Sequence, residues 1–525
     1  MLEPAPDDAP RPSPGGGVGA AVAGARDEAV AALLDFAPRA VELGRVFAGA
    51  GHELALVGGP VRDALLGRLT GPADVDLDLT TSARPGETAR LLAAWGDATW
   101  DVGAAFGTIG ARRGDVVVEV TTYRSDLYDR QTRKPVVEFG DSLHEDLVRR
   151  DFTVNAMAVR LPDGAFVDPC GGLRDLAHRV LHTPRSPEES FADDPLRMMR
   201  AARFASTLGL RVAPAVVEAM TARAPTIGIV SAERVRVELE KLLLGAHPRE
   251  GLELLVGTGL AEEVLPELPA LQLEVDEHHH HKDVYEHTLT VLEQAIALED
   301  APGGEVPGPD LVLRLAALLH DVGKPATRRF EPGGGVSFHH HEVVGAKMTA
   351  KRMRALRFDT ATTKQVARLV ELHLRFHGYS GGEWTDSAVR RYVTDAGPLL
   401  PRLHRLTRSD STTRNARKAA RLAGAYDSLE QRIVELQEAE ELAAVRPDLD
   451  GGQVMAVLGI RPGPVVGRAY RHLLELRLDR GPLGEDTARA ELLAWWAQQP
   501  ESQQPESQQP ESQQPESQQP GSPPQ

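Results

Sequence analysis

Apolar residues in this chain fall into two regimes: short runs of strand length in the first part, and helical spacing through most of the rest. LALV at Leu54 to Val57 predicts a strand, Gly58-Gly59 a turn, and Pro60 the opening of a short helix, a position that suits proline. A second strand follows in DVDLDLTT, and VVVEVTT at Val116 to Thr122 predicts a third, with Phe106 to Ala111 as its partner. Helical spacing marks Glu28 to Ala50, Pro85 to Trp95, Glu145 to Val159 and Ser231 to Leu244. The apolar run LVLRLAALLHDVGK carries His320 and Asp321, and from Thr413 to about Gln499 the pattern stays helical, with a Pro-Gly break near Pro462. Between Tyr123 and His144 the pattern dissolves around Pro135, which predicts a long irregular loop. Met1 to about Gly24 is rich in proline and glycine, and the last residues repeat ESQQP with almost no apolar side chain, so neither end is expected to pack. The whole reads as α+β, with strands and helices first and a long all-α remainder.

Composition narrows the class. A chain of 525 residues has room for two to four domains. Its single cysteine, Cys170, excludes an internal disulfide framework. No apolar run reaches the roughly 18 residues needed to span a bilayer, and the acidic, proline-rich start lacks a signal-peptide pattern, so no membrane partner and a cytoplasmic setting are expected. The formal net charge of −17 is awkward for a nucleic-acid partner, yet local basic clusters exist: Arg197, Arg200 and Arg203, and then Arg402, Arg405, Arg408, Arg414, Arg417, Lys418 and Arg421.

Candidate chemistry concentrates after the first strand. Paired glycines let a backbone approach a ligand closely, and the helix start behind them, with Arg62 one step further in, suits a nucleoside triphosphate. Asp76 and Asp78 are two residues apart, so on a strand both side chains leave the same face, as a shared Mg2+ requires. Asp74 is in phase too; Glu119 offers a third carboxylate, though a strand residue facing solvent is the simpler expectation. Further on, an Asp and an Arg at Asp194 and Arg197 offer the acceptor and donors that can pair with the edge of either C or A. Asp194 next to Pro195 also suits a helix cap. Arg197, Arg200 and Arg203 recur every three residues and share a helix face. His287, His320, Asp321 and Asp410 form an ordered set that can enclose a hydrolytic metal. Four consecutive histidines, HHHH, precede it within the chain.

GGPVRD followed by DLDLTTSARP closely resembles the head signature of the tRNA nucleotidyltransferases, the CCA-adding enzymes of the polymerase beta superfamily. The likeness continues through RRDFTVNAMA, GGLRDL, DDPLRMMRAARFA and an HD segment, roughly from Glu28 to Asp410. The resemblance implies a small mixed nucleotidyltransferase sheet with helices, then an all-α neck, an HD domain and a C-terminal helical region. The corresponding boundaries are 25–170, 171–275, 276–430 and 431–498, with irregular segments at 1–24 and 499–525. It implies Asp76 and Asp78 as the catalytic Mg2+ ligands rather than Asp74, and Gly58, Gly59 and Arg62 around the triphosphate. Arg150 is expected on nucleotide phosphate, and Asp151 and Asn155 near the sugar. Asp194 and Arg197 are expected to act as a protein template for the base, with Arg200 and Arg203 on the nucleotide. Where Asp193 stands the family usually has Glu. The loop between Tyr123 and His144 matches one that switches from C to A, and its full length favours complete CCA addition to tRNA from CTP and ATP. The HD segment resembles a phosphohydrolase module holding a second divalent metal, with His341 and His373 as further candidate ligands; some relatives show phosphatase or cyclic phosphodiesterase activity. Rival readings are an A-adding relative, a bacterial poly(A) polymerase, whose Gly-Arg-Arg-Phe stretch is missing from GTIGARRGDVVVEV, and an HD hydrolase with a nucleotide-sensing head.

Overall fold

A computed structural model describes residues 16–101, 107–124, 139–273, 284–299, 306–332, 335–376, 384–413, 415–440 and 446–503. The first fifteen residues, Phe106, the centre of the Tyr123 to His144 loop, the four-histidine run and the ESQQP repeats past residue 503 lie outside them.

Seven strands form one mixed sheet: β1 (Leu54–Val57), β2 (Leu77–Thr81), β3 (Ala98–Trp100), β4 (Thr108–Arg113), β5 (Val116–Thr122), β6 (Ala158–Leu161) and β7 (Phe166–Val167). Their order is β3-β4-β5-β2-β1-β6-β7, with β2 and β5 parallel and the other neighbours antiparallel. All four residues of β1 are buried because both of its faces are covered. Leu54 and Leu56 join the main core with Leu43 and Phe47, while Ala55 and Val57 join a smaller one with Leu143, Leu147 and Ala158. The same alternation sends Leu77, Leu79, Val118 and Val120 into the main core, so Asp78 and Glu119 share the opposite face.

In the head, α1 (Gly16–Phe36) and α2 (Pro38–Gly49) precede the sheet, α3 (Gly59–Leu65) follows β1, α4 (Pro85–Trp95) packs against β4, and α5 (Leu143–Val148) covers the smaller core. Three expectations need correction. The first helix begins at Gly16, well inside the segment read as irregular up to residue 24. The partner strand of β5 runs Thr108–Arg113 rather than Phe106 to Ala111. The helix expected over Glu145 to Val159 stops at Val148, and its last residues become β6, paired with β1 from Leu54↔Leu161 to Val57↔Ala158. Sheet pairing on a buried central strand overrides helical periodicity there.

The neck comprises α6 (Gly172–Ala177), α7 (Pro187–Asp193), α8 (Leu196–Leu208), α9 (Pro214–Arg223), α10 (Ala232–Leu243), α11 (Pro248–Gly257) and α12 (Leu260–Val264). Its axis is α8, flanked by α10 and α11, with Met198, Met199, Ala202 and Phe204 buried. Gly172 abuts the head: a Cβ there would lie 2.1 Å from the Thr153 carbonyl oxygen. Next come α13 (Val284–Ala297), α14 (Leu311–Leu319), α15 (Lys324–Thr327), α16 (His341–Ala355), α17 (Thr360–Leu372), α18 (Asp386–Ala396) and α19 (Leu400–Asp410). The last group is α20 (Ala416–Glu440), α21 (Gly451–Leu458), α22 (Pro464–Arg480) and α23 (Glu485–Trp496), with the expected break near Pro462 between α21 and α22. Among the described residues no helix is long and apolar enough to cross a membrane.

Candidate active site

At the end of β1, Gly58 turns the chain with φ 73° and ψ −123°, where a side chain is strained. A Cβ on it would lie 3.1 Å from Arg150 Nη1 and 3.8 Å from Asp78 Oδ2, so the carboxylate, the guanidinium and the start of α3 converge on this turn. Burial pushes the Asp78 carboxyl above its ordinary range; Arg150 opposes this, and Asp76, Glu119 and Asp146 add to it. Such an excess of carboxylate oxygen fits a divalent cation that prefers hard ligands. Asp76 is exposed and sits just before β2 rather than on it, its carbonyl accepting from Asp78 N–H at 2.9 Å. Glu119 is exposed, as expected, but it faces the same side as Asp78. Asp74 is engaged elsewhere: its Oδ2 accepts from Thr70 N–H, Thr70 Oγ1 and Gly71 N–H at 2.7, 2.6 and 3.2 Å.

Asp146 escaped the sequence reading. It is buried on α5, accepts from Thr80 Oγ1 at 3.2 Å and from Arg124 N–H at 3.3 Å, and pairs with Arg150 at 3.4 Å. Its only signal in the sequence is the helical i, i+4 spacing to Arg150.

Two residues on either side of Arg150 tie this turn to the neck. The Arg149 carbonyl accepts from Arg197 Nη2 at 2.8 Å, while Arg197 Nη1 donates to Ser190 Oγ at 2.9 Å. Arg150 faces the acidic cluster. Asp151 is 8% exposed and accepts from Arg200 Nε at 2.8 Å and from Asn155 Nδ2 at 3.1 Å. Burial alone raises the Asp151 carboxyl, but Arg200 and Asn155 outweigh it and hold it at about 2. Arg62 completes the chain, donating from Nη1 to Asn155 Oδ1 at 2.7 Å, and its Nη2 lies 3.8 Å from where a Cβ on Gly59 would sit. Arg203 stacks on Phe204, 3.9 Å from the ring centroid, and pairs with Glu238 at 2.6 Å. Asp194 Oδ1 accepts from Leu196 N–H at 3.1 Å, although Pro195 rather than Asp194 holds the cap position of α8, and Oδ2 pairs with Arg234 at 2.8 Å. Asp193 pairs with Arg185.

The histidine set forms a second centre. His287 Nε2 lies 2.9 Å from Asp410 Oδ1, and His320 Nε2 lies 3.2 Å from Asp321 Oδ2 and 3.4 Å from His287 Nε2. His341 and His373 face Asp321 Oδ1 at 3.3 and 3.9 Å. The Nδ1 atoms of His320, His341 and His373 sit 2.8, 2.8 and 2.7 Å from the carbonyls of Ala317, Phe338 and Val370, which turns each Nε2 inward. Nε2 of His341 and of His373 is buried and makes no hydrogen bond, an arrangement that suits metal ligands. Burial lowers His373 to about 3, keeping it a neutral donor; for His320 burial is outweighed by Asp321 and Asp410, which raise it to about 10. Lys324 Nζ stands 2.8 Å from Asp321 Oδ2. The basic cluster on α19 is less available than expected, since Arg402 pairs with Asp310, Arg405 Nε donates to the Leu298 carbonyl and Arg408 pairs with Asp427.

Three family models match the chain: the poly A polymerase head domain over residues 54–182, a probable RNA and SrmB-binding site of polymerase A over 209–271, and the HD domain over 284–437. The chain is 36% identical over 456 residues to an A-adding tRNA nucleotidyltransferase of Deinococcus radiodurans, covering 85% of this chain and 96% of that protein. It is 34% identical over 450 residues to a CC-adding tRNA nucleotidyltransferase of Thermus thermophilus, covering 84% and 93%. In fold it is similar to the crystal structure of the Bacillus stearothermophilus CCA-adding enzyme in complex with CTP, with a TM-score of 0.62 at 24% identity over 88% of this chain and 97% of that one. It is likewise similar to the Thermotoga maritima CCA-adding enzyme complexed with tRNA, with a TM-score of 0.56 at 18% identity over 89% and 98%.

Proposed function

The chain belongs to the tRNA nucleotidyltransferases, and from that premise we propose that it adds C, C and A to tRNA 3′ ends from CTP and ATP, releasing pyrophosphate. The observation that carries the nucleotidyl transfer is the convergence of Asp78, Arg150 and the Gly58 turn on one point, beside Asp76 and Glu119. Asp76 and Asp78 would hold Mg2+, which when bound would supply activation of the terminal hydroxyl of tRNA and charge neutralisation for the departing pyrophosphate. Gly58 and Gly59 keep the backbone accessible to the triphosphate, Arg62 and Arg150 bring positive charge to it, and Asp151 and Asn155 orient the sugar. Asp194 accepts from the exocyclic amino group of C or A, and Arg197 donates to the ring edge; Arg200 and Arg203 flank the bound nucleotide.

Asp76→Ala and Asp78→Ala are each expected to lower nucleotide incorporation by about a thousandfold or more without lowering the thermal midpoint. Full activity in both variants would move the metal elsewhere. The near full-length likeness to an A-adding enzyme supports a second reading, addition of the final A alone. Offering tRNA trimmed to different lengths with labelled CTP and ATP, separately and together, separates the cases. CCA added to a tRNA lacking all three supports the first reading. A single A only on tRNA ending in CC supports the second, C alone indicates a CC-adding enzyme, and long A tracts a poly(A) polymerase.

The inward Nε2 atoms around Asp321 support an accompanying metal-dependent phosphohydrolase, in which the expected set divides into two adjoining groups able to hold a divalent ion, His287, His320 and Asp410 on one side and Asp321, His341 and His373 on the other. Since Asp321 and Asp410 raise His320, metal uptake should release a proton. Calorimetry in buffers of different ionisation enthalpy detects this, and elemental analysis of His320→Ala should show the metal lost from this domain.

A further inference from the structure

We propose that α10 is a positioning element for base selection, acting through Arg234 and Glu238, one helical turn apart. The proposal rests on the assignment of Asp194 and Arg197 as base readers. Arg234 Nη2 lies 2.8 Å from Asp194 Oδ2, while Asp194 Oδ1 accepts from Leu196 N–H at 3.1 Å. The two oxygens are thus anchored from two different elements, which sets both the place and the plane of the carboxylate. Glu238 is 4% exposed; its Oε2 lies 2.6 Å from Arg203 Nε, and its Oε1 lies 3.6 Å from Arg200 Nη1. A cation at one turn of α10 therefore holds the anion beside α8, and an anion at the next turn holds two cations of α8.

The chemistry gives this a purpose. A carboxylate only accepts, and its remaining lone pairs match the N4 amino group of cytosine or the N6 amino group of adenine. Uracil and guanine present an oxo group at the equivalent place, so acceptor faces acceptor. That mismatch rejects them only while the carboxylate cannot rotate aside, because a site with fixed polar groups discriminates through partners left unpaired. Arg234 removes that rotation, and Glu238 keeps the neighbouring guanidinium groups in register with it.

The test compares kcat/KM for CTP, ATP, UTP and GTP on trimmed tRNA, using the full chain and the variants Arg234→Ala, Arg234→Lys, Glu238→Gln and Asp194→Ala. Arg234→Ala is expected to raise the use of UTP and GTP relative to CTP and ATP by about tenfold, Arg234→Lys to restore most of the discrimination, and Glu238→Gln, which keeps the side-chain shape, to relax selection in the same direction. A merely structural role would lower all four values equally. Equal loss for the four nucleotides, or unchanged selection in Arg234→Ala or Glu238→Gln, overturns the proposal. Asp194→Ala separates the two assignments: relaxed selection there with intact selection in Arg234→Ala defeats only the role of α10, whereas intact selection in Asp194→Ala defeats the base-reader assignment itself.

Discussion

Asp151 shows how a buried carboxylate can serve the fold. Its neighbours Arg200 and Asn155 hold it at about 2, below the roughly 3.9 of an unfolded chain. A depressed folded value adds stability that is fully present above pH 4 and is lost as pH falls toward 2. Asp151→Asn should therefore be less stable than the parent by about 2 kcal/mol near neutrality, with the gap closing below pH 4; denaturant titrations at stepped pH measure it. A gap that stays constant into acid would mean the carboxylate's charge is irrelevant to folding. Asp78 has the opposite character, raised by burial and by neighbouring acids. One carboxylate is neutralised by the protein's own arginine, while the other sits among acids that Arg150 only partly offsets. Neither character was legible from residue type, because both depend on which charges fold next to them.

At the scale of elements, the joint between neck and HD domain is held by a buried guanidinium. Arg314 on α14 binds Glu299 at 2.8 and 2.7 Å and also donates to the carbonyls of Leu243 and Gly245 at the end of α10, at 2.6 and 2.8 Å. Arg314→Ala strands a buried carboxylate and the orphan carbonyls of a helix end, and should cost about 3–5 kcal/mol in urea unfolding. The double variant Arg314→Met, Glu299→Leu should recover much of that, since it leaves no buried charge. Recovery would assign the cost to stranded charge; continued loss would assign it to the uncapped end of α10. Helices such as α8 and α10 were legible because their apolar spacing is local. The strand β6 was not, because its residues are apolar enough for either structure and only the edge offered by β1 decided between them.

Across the whole molecule, the charge of −17 contrasts with an RNA partner. Much of the apparent basic patch is neutralised internally, by Asp310 at Arg402 and by Asp427 and Glu430 at Arg408, while Arg417, Lys418 and Arg421 on α20 stay exposed. If these three meet phosphate, replacing them with alanine should weaken tRNA binding and reduce the slope of log Kd against log salt by about 2. An unchanged slope would leave α20 as a solvated face. The sequence by itself determined what adjacent residues control: the glycine turn after β1, the three-residue step of Arg197, Arg200 and Arg203, and the pairing of His320 with Asp321. Tertiary structure alone decided which distant side chains meet: Glu119 beside Asp78, Arg234 on Asp194, Glu238 between Arg200 and Arg203, and the inward Nε2 atoms around Asp321. Spacing along a chain specifies direction within one element, but a contact between elements exists only once packing has chosen their neighbours.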